Sequence, residues 1–139
     1  MNLQSAWTYA LHHYAQPGAA AELLRRQDEE GLDVVLHLFV QWAHENRGIV
    51  LDAAALREAA ATVANWREHS VLPLRALRRA MKGREPEGAA EAARAVRQQI
   101  QQAELAAERV ELELLSGWLA RREAQPGQME AALDKRGPR

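Results

Sequence analysis

The chain has no cysteine among its 139 residues, which removes disulfides, thiolate nucleophiles, iron–sulfur ligation and every cysteine zinc site in one step. A reducing compartment suits such a chain. Its eight glycines are scattered, mostly at helix stops, so there is no glycine-rich phosphate loop. Serine is equally scarce: Ser5, Ser70 and Ser116 are the whole complement, and none lies in a G-x-S-x-G context that would make it a nucleophile. Nowhere do about 18 apolar residues stand together. The opening stretch MNLQSAWTYALHHY has neither a basic leader nor an uninterrupted apolar run, so the expectation is a soluble, cytoplasmic protein without a membrane segment.

What is present bounds the architecture. A chain this long is one domain by the usual size relation, and it buries roughly two thirds of the surface its unfolded form exposes. The 47% hydrophobic fraction includes 28 alanines, which favour helix but bury little area. Large apolar side chains must therefore be placed economically. The net charge of −1 selects no partner by bulk electrostatics, so the distribution of charge along the chain matters more than its sum.

Every strong periodicity is helical. Leu3, Trp7, Ala10, Leu11 and Tyr14 recur at three- and four-residue steps after a candidate cap at Ser5, and the QPG at 16–18 ends that element. A second helix runs to Gly31. Asp33 caps a third that reaches about Arg47, with Gly48 closing it. Asp52 then caps a fourth helix, with Leu51 and Leu56 spaced as a hydrophobic staple, running to about His69. Ser70 is the expected cap of a fifth helix, which places Pro73 in its first turn and ends at Gly83. From about 88 to 123 no proline interrupts one long helix. The expected fold class is all-α, a helical bundle of about five shorter helices plus one long C-terminal helix. Residues 1–123 form a single domain in this reading, and 124–139 a flexible tail.

The segment HLFVQWAHENRG, residues 37–48, gathers the residue types that acid–base or metal chemistry would use. Val35, Leu36, Leu38, Phe39, Val40, Trp42 and Ala43 cover more than half of that helix. His37, Gln41, His44 and Glu45 share the remaining strip with Val34. Spacing argues against a metal, because one helix offers two imidazoles to an ion when they are four apart. His37 and His44 are seven apart, about 10.5 Å along the axis. Adjacent His12 and His13 diverge by about 100°, and His69 stands alone. No catalytic, cofactor-binding or metal-ligating residue is assigned, and no cofactor is expected.

WTYALHHYAQPGAAAELLRRQDEEGLDVVLHLFVQW, followed by NWREHSVLPLRALRRAMKG, resembles a family of small, mainly proteobacterial proteins catalogued as a domain of unknown function. The match rests on Tyr14, Pro17 and Gly18; on Gln27, Asp28, Gly31, Asp33 and Val34; on Leu38, Phe39 and Trp42; on Trp66 and Arg67; and on Pro73, Leu74, Arg75, Arg78 and Arg79. Arg26 departs from it, standing where the family pattern has leucine, and His37 stands where it has an aliphatic residue. The resemblance spans about residues 5–115. It implies an all-helical bacterial cytoplasmic protein and supplies no activity.

Two features exceed what a bare bundle needs. Arg75, Arg78, Arg79 and Lys82 lie at i, i+3, i+4 and i+7, on a different face from Leu74, Leu77 and Met81, and Arg84 follows. From 67 to 84 there are six basic residues against one acidic, a net of +5, which leaves the rest of the chain at −6. This stripe is the expected partner-binding surface. An acidic protein, nucleic acid or the ribosome, or the chain's own cluster of Asp28, Glu29, Glu30 and Asp33 would each complement it. Replacing Arg75, Arg78, Arg79 and Lys82 together by glutamine is expected to leave the fold intact, because exposed ion pairs are each worth only up to about 1 kcal/mol, and to remove partner binding.

The second feature is a seam on the long helix: Val96, Ile100, Ala103, Ala107, Val110, Leu114 and Trp118. Leu105, Leu112, Leu115 and Leu119 form another stripe on roughly the opposite side. A helix apolar on two faces needs two neighbours, and the seam is the expected interface of a homodimer or with a protein partner. The function this suggests is a non-enzymatic helical interaction protein, an adaptor or regulator. The alternatives are a nucleic-acid or ribosome-associated protein using the same arginines, and an enzyme acting around His37 and His44.

Overall fold

The computed structural model describes residues 5–124, so Leu3 and all of the expected 124–139 tail except Ala124, which is the last residue of the long helix, lie outside the described residues. The order is α1 (Ala6–Tyr14), α2 (Ala19–Glu30), α3 (Val34–Arg47), α4 (Ala53–Trp66), a π-helical turn (Arg67–Val71), α5 (Leu72–Met81) and α6 (Ala90–Ala124). The fold is all-α, with five shorter helices and one long C-terminal helix. Among the described residues there is no strand, and no helix is long and apolar enough to cross a membrane.

Local chemistry sets the helix ends. Ser5, Asp33 and Asp52 each accept a hydrogen bond from the amide three residues on: Thr8 at 3.1 Å, Leu36 at 3.1 Å and Ala55 at 2.8 Å. Each cap satisfies an amide that the helix itself leaves open and contributes about 1 kcal/mol. Gly31 and Gly48 close α2 and α3 in the left-handed region, at φ 67° and 65°, which a Cβ would strain.

The expected break at Ser70 is absent. Helices α4 and α5 form one continuous rod through the π turn, and Leu72 N–H donates to the Arg67 carbonyl five residues back. Pro73 supplies the physical reason. It has no N–H to give to the His69 carbonyl, and its ring would collide with that oxygen in a regular helix. Widening the preceding turn by one residue carries the chain past the proline and shifts the face that α5 presents.

This rod lies antiparallel along α6, forming a long helical hairpin. Trp66 Nε1 donates to the Ala107 carbonyl at 2.8 Å, Trp118 Nε1 to Glu58 at 3.4 Å, and Arg97 Nε to the Arg78 carbonyl at 3.3 Å. Helices α1 and α3 pack on the other side of α6, and Arg47 meets Glu123 at 2.7 Å. Phe39, Leu38, Val63, Leu115 and Leu119 fill the core between them. Burying side chains of this size stabilises by about 1.5–3 kcal/mol each.

Both apolar stripes of α6 therefore find neighbours within the chain. Leu112, Leu115 and Leu119 enter the main core, as does Trp118 from the proposed seam, and Ala107 of the seam is buried as well. The seam expectation is corrected at those two positions, which are not available to a second copy. Ile100 and Val110 are half-buried, and Val96, Ala103 and Leu114 remain exposed.

Candidate functional site

The basic stripe is divided. Arg75 is buried, only 6% exposed, and its guanidinium meets Glu104 at 3.2 Å and Glu108 at 3.4 Å. Arg78, also largely covered, donates through Nε to the other oxygen of Glu104. Arg79 stays exposed and reaches Asp28 on α2 at 3.5 Å. Lys82 and Arg84 are exposed beyond the end of α5. The expected solvent stripe is thus corrected at Arg75 and Arg78. Helix α5 turns these two arginines inward, on the side where Val71 at the end of the π turn is buried, while Leu72 and Leu77 face water at 39% and 47% exposure.

The acids that receive these arginines come from α6 rather than from the Asp28–Asp33 cluster. Glu104, Glu108 and Glu111 recur at steps of four and three, which places them on one face of α6 between its two apolar stripes. Within the Asp28–Asp33 cluster, Glu29 and Glu30 pair with Arg25 and Arg26 inside α2. Asp33 caps α3 and also holds Arg67 at 3.2 Å. Arg67 in turn approaches Glu111 at 4.0 Å. The result is a charge network in two ion-paired halves, Asp33–Arg67–Glu111 and Glu108–Arg75–Glu104–Arg78, which feel each other's charge across α6 and together involve the start of α3, the π turn, α5 and α6.

Charge in such a place must be compensated or neutralised. Glu111 is wholly buried, and neither of its oxygens accepts a hydrogen bond. Burial first, then the Asp33 carboxylate, hold its carboxyl well above the usual range, with Arg67 opposing. Burial and then the Glu104 charge push Glu108 up to about 7, with Arg75 the first opposing influence. A neutral Glu111 would leave three carboxylates facing three guanidiniums. Tyr14 on α1 lies close to the same charges, and burial followed by the Glu108 carboxylate shifts its hydroxyl upward.

The network opens onto a groove of about 370 Å³. Leu11 of α1, Leu23 and Leu24 of α2, Val34 of α3 and Leu105 of α6 form its apolar walls. Tyr14, Arg78, Glu104 and Glu108 contribute its charged and hydroxyl groups, and Gln27, Gln101 and Gln102 also line it. Leu11 and Leu24 are 44% and 45% exposed. Two large apolar side chains on different helices thus converge on one concavity.

The strip of α3 singled out by its histidines is arranged differently. The amide nitrogen of Gln41 meets His37 Nε2 at 3.2 Å, and burial, with the Arg26 and His13 charges after it, lowers the His37 imidazole's proton affinity. His44 and Glu45 are exposed, and Glu45 receives a hydrogen bond from Tyr9. Among the described residues no three His, Asp or Glu side chains are grouped to hold a metal ion.

The site that sequence reasoning missed is therefore Glu104, Glu108 and Glu111 with Arg67, Tyr14 and the groove leucines. Its signal was the helical recurrence of three glutamates within an apolar helix face, opposed by arginines on a preceding helix. No curated protein and no solved structure matches the chain. The family described as a protein of unknown function, DUF2390, matches over residues 5–115, a span that holds the whole network and the groove, and the chain belongs to that family.

Proposed function

We propose that this protein is a non-enzymatic helical interaction protein that receives an apolar segment of a partner protein in the groove between α1, α2 and α6. The observation carrying this reading is the convergence of Leu11 and Leu24, each nearly half exposed, on one concavity walled by Leu23 and Leu105. Single exposed leucines need no explanation. Two that share a groove with the end of a buried charge network are what a helix-in-groove contact uses: apolar anchors beside a few fixed polar groups. The lack of cysteine fits the bacterial cytoplasm, where we place it.

The basic helix carries less of this function than its charge count suggests. Arg75 and Arg78 are committed to Glu104, and Arg79 to Asp28. Lys82 and Arg84 stand beside Glu85 and Glu87, a poor track for phosphates. We therefore favour an apolar protein contact over nucleic acid.

A second reading has its own observation. On α6, Val96, Ala103, Val110 and Leu114 fall within about 40° of one another on the helix wheel, and Val96 and Leu114 are 47% and 38% exposed. That edge of the seam suits self-association into a homodimer, leaving the groove free.

The groove reading is tested by placing a photo-crosslinking side chain at Leu24 and, as a control, at Val50, which is 78% exposed outside the groove. In cells that make the native chain, adducts at position 24 should map to one apolar segment and disappear when Leu11→Asp is added. Adducts at position 24 no more specific than those at position 50 would overturn the reading.

A further inference from the structure

We propose, resting on the groove reading, that the polar lining of the groove binds an alkylammonium group, in a protein partner a lysine whose stem lies along Leu24 and Leu105 and whose ammonium meets Glu108. The first argument is charge. Arg78 pairs with Glu104 alone, and Arg75 is divided between Glu104 and Glu108, so Glu108 shares its one guanidinium with a neighbouring carboxylate. Both carboxylates, Glu104 and Glu108, line the groove.

The second argument is hydrogen bonding. Glu104 accepts three hydrogen bonds, from Arg75 and Arg78. Glu108 has a single partner, Arg75 Nη2 at a long 3.4 Å, while 13% of its side chain still meets solvent. An entering ammonium would shorten that deficit, because charge-assisted bonds are the strongest available there. An anion would face Glu104 and Glu108, and the Arg78 that could greet it is already held by Glu104.

The third argument is shape. Leucines of α1, α2 and α6 line the same groove as Glu108. They suit a methylene stem ending in a compact charge, which is how lysine covers apolar surface.

The groups facing Glu108 are Tyr14 from α1, Asp33 at the start of α3, Arg75 and Arg78 from α5, and Glu104 and Glu111 from its own helix. Among them the Glu111 carboxyl is itself held above its ordinary range, by burial first. Binding of a cation should strengthen as Glu108, held up to about 7, gives up its proton.

The test titrates the full chain with n-octylammonium, n-octanol and n-octanoate below their micelle concentrations, following the backbone amides of Leu24, Leu105 and Glu108 by NMR. At pH 8 the ammonium should bind about tenfold more tightly than the alcohol, with octanoate weakest. That advantage should shrink at pH 6. Glu108→Gln should bring the ammonium to the level of the alcohol without changing the alcohol, which also reports that the variant is folded. Leu24→Asp should weaken alcohol and ammonium together. Equal binding of ammonium and alcohol at pH 8, tightest binding of octanoate, or no binding of any of the three would overturn the inference. Specific crosslinks at Leu24 would in that event still stand for the groove, so the two readings fail separately.

Discussion

Arg75 of α5 and Glu104 of α6 meet at 3.2 Å inside the bundle, with 7% and 8% of their side-chain surfaces open to water. Two ions this far from solvent lose hydration that only a partner of opposite charge restores. The pair therefore does more to fix which face of α5 meets α6 than to add net stability. Removing one member leaves the other stranded. Arg75→Ala should cost about 3–5 kcal/mol in urea or thermal unfolding, and replacing Arg75, Arg78, Arg79 and Lys82 together by glutamine should cost more. The expectation from sequence, an intact fold after that fourfold change, rested on a solvent-facing stripe and is reversed. Adding Glu104→Gln to Arg75→Gln should recover part of the loss. A fourfold variant that melts with the native chain would contradict this placement of Arg75.

Protonation of the buried glutamates makes stability fall with rising pH. The folded chain holds Glu108 up to about 7 and Glu111 also well above its ordinary range, whereas the unfolded chain releases both protons near about 4.3. Between those limits the folded state binds more protons, so their contribution is full below the unfolded value and is lost as pH rises through the folded one. His37, whose proton affinity is lowered, acts in the opposite sense by weakening the fold as pH falls. The readout is accordingly a difference. Glu111→Gln keeps the shape without the titration, and its stability relative to the native chain should climb from pH 5.5 to 8.5, by up to about 1.4 kcal/mol per unit. Parallel pH profiles would mean that Glu111 is ionised throughout.

Self-association, if it occurs, should use the exposed edge of α6. Val96→Glu with Leu114→Glu should shift any dimer seen by light scattering to monomer without lowering the unfolding free energy by more than about 0.5 kcal/mol per site. Trp118→Ala should instead destabilise the monomer itself, by about 3–5 kcal/mol, because Trp118 is in the core. A monomer at high micromolar concentration would remove the dimer reading and leave the groove untouched.

Helix positions were legible because caps and stops are local. Ser5, Asp33, Asp52, Gly31 and Gly48 each act through their own backbone or the next turn. The orientation of α5 was not legible, for a physical reason. A wheel shows that arginines and leucines occupy different faces, but which face turns inward depends on what the neighbouring helix offers. Here α6 offers Glu104 and Glu108, so charge goes in and Leu77 goes out. The π turn compounds this, since a local adjustment to Pro73 resets the register of everything after it. The α3 histidines stood out only by composition. Nothing in the spacing of His37, Gln41, His44 and Glu45 joined them to the helices that surround the network.

The most direct measurement of the central claim takes the segment crosslinked at Leu24, made as a peptide, and titrates it by calorimetry against three forms of the chain at low and high salt. The groove account predicts that Leu11→Asp with Leu24→Asp weakens binding by at least about a hundredfold, since two apolar anchors are lost at about 1.5–3 kcal/mol each. It also predicts that Arg79→Gln with Lys82→Gln and Arg84→Gln leaves affinity within about twofold, and that raising salt from about 50 to 200 mM changes it little. The opposite pattern, an indifferent groove variant together with a steep salt dependence lost in the basic variant, would return the function to the arginines and contradict the account.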